Sequence, residues 1–197
     1  MSSSEATPIP IPIPGTDALI RGSVRVRHLI EADLERLCAW WNDPETARSQ
    51  RGTALPLSAE RTTSMFREWD AGSDSSLGLC ITTAEGELVG HVALWGYGGV
   101  PRIGTMGLMI GPEYRNRGYG TDAVELLLRL AFEELDLHRV ELGYYDFNSR
   151  GARVYERAGF LVEGRRREVS LHEGRLHDEI RCGILRAEWR ARVAAHR

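Results

Sequence analysis

The sequence predicts one mixed α/β domain, α+β in arrangement, with about seven strands and four helices. Three observations lead there. Apolar residues alternate at period two in several short stretches and recur at helical spacing in others. An early run of strands without intervening helices points to antiparallel pairing, and a strand–helix–strand unit follows it. The length of 197 residues suits a single domain, which buries roughly 70% of the surface its unfolded chain exposes and needs no staples.

Residues 1–20 read as a tail, because Pro8, Pro10, Pro12 and Pro14 alternate too densely for a helix or a central strand. The domain is expected over 21–190, with 191–197 as a C-terminal tail. A strand is predicted near 22–29, where Val24 and Val26 alternate with Arg25 and Arg27. A helix over 31–42 puts Leu34, Leu37 and Trp41 on one face and stops at Asp43-Pro44. Trp40 lies off that face, which leaves it for a substrate pocket or a partner surface. Ser58 is an N-cap for a helix to about 70 whose apolar side is Met65, Phe66 and Trp69. Residues 77–83 and 88–95 form a hairpin about Glu85-Gly86, and 102–110 is apolar enough for the middle of a sheet. After a polar loop at 111–120, Ala123, Val124, Leu127, Leu128, Ala131 and Leu135 mark an amphipathic helix. A strand at 139–145, a helix at 149–158 closed by Gly159, and strands at 161–171 and 175–185 complete the chain.

Composition excludes several chemistries. All 25 basic residues counted as Lys+Arg are arginine, so neither a P-loop nor Schiff-base chemistry on a lysine is available. A net charge of −3 and a pI near 6.1 give no field for nucleic acid or an anionic membrane. No apolar run reaches the ~18 residues of a span, and no signal-peptide pattern opens the chain, so a soluble cytoplasmic protein is expected. Cys38, Cys80 and Cys182 make no close pair and read as small buried hydrophobes. His172 and His177 with Asp178 and Glu179 fit no ligand template, so no metal is expected. Arg165, Arg166 and Arg167, beside Glu163, Glu168 and Glu173, read as a solvated hairpin face or a rim for an acidic substrate.

The chemistry centres on Arg115-Asn116-Arg117-Gly118-Tyr119-Gly120, between a buried strand and a helix. Glycines let the backbone come close, helix-terminal N–H groups point outward, and the helix dipole favours an anion. Arg115 and Arg117 add forked positive donors. The segment is either a pyrophosphate site or a glycine-eased loop with solvated arginines. Gly118-Tyr119-Gly120-Thr121-Asp122-Ala123 also satisfies G-x-G-x-x-A, with Glu141 about twenty residues on. A seven-residue polar insert separates those glycines from the strand, which argues against a dinucleotide fingerprint.

Arg115-x-x-Gly118-x-Gly120 at a strand-to-helix junction resembles the acetyl-CoA signature of the GNAT N-acetyltransferase superfamily. Downstream, Asn148, Tyr155 seven residues later, and Gly159-Phe160 are similar to a second motif of that family. Trp41-Asn42-Asp43-Pro44 resembles the RimJ/RimL-like branch, the ribosomal-protein N-terminal acetyltransferases. The resemblance covers about 22–188 and implies a mixed, mostly antiparallel central sheet flanked by helices. It also implies acetyl-CoA as co-substrate, an amine acceptor, no metal, and a possible homodimer. Its pyrophosphate would lie on Arg115, Asn116, Arg117, Gly118, Tyr119, Gly120 and Thr121. The pantetheine arm would pair with Leu108, Met109 and Ile110, and a backbone N–H there would polarise the thioester. Asn148 would bond the coenzyme arm, and Tyr155 would protonate the departing thiolate. Where relatives carry a basic glutamate, this chain has Thr105 and Gly143. Glu141 shares a strand face with Gly143 and is the candidate base, with His91, Asp146 and water as alternatives. The expected function is acetyl transfer to a primary amine, either a protein N-terminal α-amine or a small molecule, in a ternary complex. A non-catalytic acyl-CoA sensor and a dinucleotide-dependent oxidoreductase are the alternatives.

Overall fold

In a computed structural model that describes residues 19–195, the alternating stretches pair into one eight-stranded sheet. Its strands are β1 (Ile20–Arg21), β2 (Val24–Arg27), β3 (Ser76–Thr83), β4 (Leu88–Trp95), β5 (Ile103–Ile110), β6 (Arg139–Tyr145), β7 (Leu161–His172) and β8 (Arg175–Leu185). The helices are α1 (Leu34–Asn42), α2 (Pro44–Arg51), α3 (Ala59–Ala71), α4 (Tyr119–Arg129), α5 (Ser149–Arg157) and α6 (Arg186–Ala195). Strand order is β1-β2-β3-β4-β5-β6-β8-β7. Every neighbouring pair is antiparallel except β5 and β6, which are parallel. The fold class is as the sequence predicts. The proline-rich tail expected over 1–20 falls, up to residue 18, outside the described residues.

The additional elements have local causes. β1 is a two-residue edge on β2, too short to alternate. Asp43-Pro44 does end α1, but it also starts α2. Asp43 Oδ2 accepts from the Thr46 amide at 2.9 Å, and proline takes the first helical position, where no N–H is needed. Only Thr46 and Ala47 of α2 are buried, so the segment carries no apolar stripe to read. Helix α6 runs through position 191, where a tail was expected, anchored by Trp189 against Phe132 at 5.5 Å between centroids.

Trp40 requires a correction. It is as buried as Trp41, not left over for a pocket or a partner. The turn Pro112–Tyr114 covers it: Tyr114 stands edge-on at 5.9 Å, and the indole Nε1 donates to Glu113 at 3.2 Å. Gly111 makes this possible, since a Cβ there would lie 2.6 Å from the Trp40 ring. Trp41 packs edge-on to Phe66 at 5.8 Å and Trp69 at 5.3 Å. Along α4, Ala123, Val124, Leu127 and Leu128 are fully or almost fully buried, as their spacing predicts.

Candidate active site

Parallel pairing of β5 with β6 covers only Ile103↔Arg139, Gly104↔Val140 and Thr105↔Glu141. Beyond that point β5 continues to Ile110, still paired to β4, while β6 continues to Tyr145 on β8. The edge of β5 from 106 onward therefore has no strand partner toward β6. A cleft of about 310 Å³ lies there. Leu108, Met109, Ile110, Arg115, Asn116, Gly118, Gly120, Thr121, Asn148 and Tyr155 line it together. Arg117, Tyr119 and Glu141 do not. Arg117 lies 5.7 Å over the Tyr114 ring, and Tyr119 packs 6.3 Å from the same ring.

Gly118 starts α4 with a left-handed φ of +90°. Its carbonyl accepts from the amides of Thr121 at 3.0 Å and Asp122 at 3.2 Å. The N–H groups ahead of them have no partner within the helix, and the dipole adds positive potential at the mouth. Gly120 faces the floor of the cleft, where a Cβ would sit 3.7 Å from Leu108, Ile110 and Val154. The loop therefore fits a pyrophosphate, and the bare backbone of Gly120 leaves room for the chain behind it. The Arg115 side chain contributes differently from expectation. Its guanidinium ties β5 to α2, donating to Glu45 at 2.8 Å, Thr46 at 2.6 Å and the Ile110 carbonyl at 3.4 Å.

Tyr155 is buried, 5.8 Å from the Tyr144 ring and 6.0 Å from Phe160. Burial, with Cys182 and Tyr144 adding to it, pushes its hydroxyl up to about 12, so it remains protonated at neutral pH. Asn148 caps α5 by accepting from the Gly151 amide at 2.9 Å, which leaves its Nδ2 to donate elsewhere.

Several lining residues escaped sequence reasoning. Thr46, Ser49 and Gln50 come from α2, whose existence the pattern did not reveal. Gln50 donates to the Leu108 carbonyl at 2.6 Å, at the strand edge expected to pair with pantetheine. Arg150, Arg153 and Arg157 line the cleft along one side of α5. Their i, i+3, i+7 spacing was readable as a basic stripe.

The three candidate bases lie apart from the cleft lining. Both carboxylate oxygens of Glu141 already accept from guanidiniums, Arg139 at 3.3 Å and Arg181 at 3.4 Å. Asp146 pairs with His177 Nδ1 at 2.7 Å. His91 is enclosed by Phe66 at 5.1 Å and Trp69 at 5.7 Å, and its Nε2 has no partner. Burial pushes His91 down from 6.5 to about 4, which removes it as a base for an acceptor at neutral pH. A histidine depressed in the folded state stabilises it above pH 6.5, and that contribution is lost as pH falls toward 4. Melting temperature should therefore drop across that window by an amount reflecting up to about 3 kcal/mol. A His91→Leu variant should decline more gently, and an unchanged slope would remove His91 from the acid response.

A family model described as an acetyltransferase (GNAT) domain matches residues 23–161. The chain is 30% identical over 168 residues to YdaF of Bacillus subtilis, provisionally named a ribosomal N-acetyltransferase, covering 84% of this chain and 86% of that one. It is 23% identical over 176 residues to the spermidine N(1)-acetyltransferase of Vibrio cholerae, covering 87% and 92%. Among solved structures, a Vibrio cholerae spermidine N-acetyltransferase in complex with CoA and spermine matches with a TM-score of 0.76 and 22% identity, over 85% of this chain and 98% of that one. That last likeness is one of fold.

Proposed function

The chain belongs to the GNAT family of acetyltransferases, and from that premise we propose that it moves the acetyl group of acetyl-CoA directly to a primary amine in a ternary complex. The cleft where β5 and β6 part supports this reading best, with the amino end of α4 at its mouth and Tyr155 in its wall. The pyrophosphate would rest on the backbone of Gly118, Gly120 and Thr121, with Arg153 and Arg157 supplying charge. The pantetheine arm would run along Leu108–Ile110, where Gln50 gives up a single side-chain hydrogen bond, a loss of about 1 kcal/mol.

The amine nitrogen attacks the thioester carbonyl, and the C–N bond forms as the C–S bond breaks. A backbone N–H of β5 beside the carbonyl stabilises the oxyanion, a term worth roughly 3–4 kcal/mol per donor. Tyr155 gives its proton to the departing thiolate. The proton lost by the nitrogen passes through solvent, since Glu141 is held between two arginines. Among the described residues no cysteine lines the cleft, which favours direct attack over an acetyl-enzyme. The relatives' names span protein and polyamine acceptors, and both kinds present a primary amine.

A thermal-shift titration with acetyl-CoA, CoA, NADH and NADPH tests the coenzyme. Acetyl-CoA and CoA alone should raise the melting temperature, by the equivalent of about 2.7 kcal/mol at a hundredfold excess over Kd. An amine screen that follows free thiol then separates an enzyme from an acyl-CoA sensor, which would bind yet turn nothing over. A shift with NADPH alone would return the loop to the dinucleotide reading.

A further inference from the structure

A second, smaller cavity of about 130 Å³ adjoins the cleft, and Ser49, Asn148 and Arg150 line both. Its charged wall consists of Arg48 and Glu45 from α2, Arg150 from the first turn of α5, and His172 from the end of β7. Glu45 is already taken, lying between Arg150 and Arg115. Arg48 has no carboxylate partner among the described residues. His172 packs on Phe147 at 4.4 Å between centroids, and its Nδ1 is buried without a partner. The amino end of α5 adds its dipole to the same wall. The cavity therefore has donors and positive charge to spare, and its one carboxylate is occupied.

Carboxylates along β6, β7 and β8 are occupied as well. Glu141 and Glu179 bind Arg181, Glu163 binds Arg139, Asp178 binds Arg165, and Asp146 faces His177. At the cavity, an ammonium seated on Glu45 would have to displace Arg150 or Arg115, and the exposed Glu173 beside it already stands 3.9 Å from His172 Nε2. An anion instead meets Arg48, which has no carboxylate partner among the described residues, and shares Arg150 with Glu45.

We propose that this cavity is the recognition subsite for the acceptor, and that the acceptor is a primary amine bearing an anionic oxygen group, a carboxylate or a phosphate. The inference rests on the acetyl-transfer reading above and names the acceptor class for it. Arg48 and Arg150 bind the anionic group, for which the guanidinium fork is suited in either chemistry. The shared wall at Ser49 and Asn148 leads the amine toward the thioester end of the cleft. A cavity this small holds one such group, not a chain.

The test compares four acceptors at saturating acetyl-CoA by thiol release: propylamine, 3-aminopropanoate, 2-aminoethyl phosphate and spermidine. One of the two anionic amines should exceed both propylamine and spermidine in kcat/KM by about tenfold or more, and the better of the two identifies the group. In an Arg48→Ala variant that advantage should shrink toward parity, mainly through KM, while acetyl-CoA still raises the melting temperature. Spermidine or propylamine serving as well as both anionic amines would overturn the subsite and leave acetyl transfer standing. Failure of acetyl-CoA to bind would instead overturn the underlying reading. If acetyl-CoA binds and no amine is acetylated, the anionic amines should still raise the melting temperature of the CoA complex. Neither doing so would overturn the subsite.

Discussion

Replacing Gly120 with tryptophan should abolish acetyl-CoA binding and leave the fold in place. A side chain at 120 starts 3.7 Å from Leu108, Ile110 and Val154 and grows into the cleft those residues line. Gly120 lies within the first turn of α4, and its backbone is not in the left-handed region, so the substitution meets occupancy instead of strain. The expected result is at least a hundredfold weaker Kd, with a melting temperature moved by only a few degrees, as for most changes outside the core. Gly118 would be a poorer choice. A Cβ there meets nothing within 4 Å, yet φ is +90°, so any side chain adds backbone strain of about 1–2 kcal/mol. Calorimetric titration of the Gly120→Trp variant with CoA decides the matter: undiminished affinity would place the coenzyme elsewhere.

Tyr155→Phe should lower kcat by roughly 10²–10⁴-fold and leave acetyl-CoA affinity within about twofold. The substitution removes one oxygen and keeps the ring against Tyr144 and Phe160. Because burial raises the hydroxyl to about 12, the proton is present throughout the working pH range. Its loss should therefore not limit wild-type kcat until pH approaches 12, and any rise in rate at lower pH reports deprotonation of the acceptor amine. Pre-steady-state thiol release, compared with coenzyme Kd, separates chemistry from binding. Equal kcat in the two proteins would remove Tyr155 from the reaction.

Gly120 was singled out by a local glycine signal at a strand-to-helix junction, whereas Tyr155 was singled out only through the resemblance that Asn148, Tyr155 and Gly159-Phe160 carry. While the capping of α5 by Asn148 emerged only from the structure, a glycine at the start of a helix and Gly159 as a C-cap each act within one turn, so a short string of residues carries the instruction. The hairpin 77–83/88–95 was readable for the same reason, since period two and a glycine turn specify it. Helix α2 was not readable: its sequence is almost wholly polar, and it is held by its cap and by Arg115 from across the molecule. Trp40 misled for a related reason. One helix face cannot hold adjacent tryptophans, but a turn from seventy residues on covers the second.

What the sequence determined by itself is the fold class, most of the strands, the glycine-bearing loop at a strand-to-helix junction and the motif pair whose resemblance points to the family. The elements and the loop rest on periodicity, on glycine's backbone freedom and on capping, which act over a few residues, and the family rests on the resemblance of its two motifs. Tertiary structure alone decided where β5 and β6 part, because pairing between distant strands depends on what each packs against. It also decided the ion pairing of Glu141, the burial that silences His91, and the meeting of Arg48 with Arg150 and His172. Charge and burial at a site are sums over neighbours brought together by folding, and no local pattern records them.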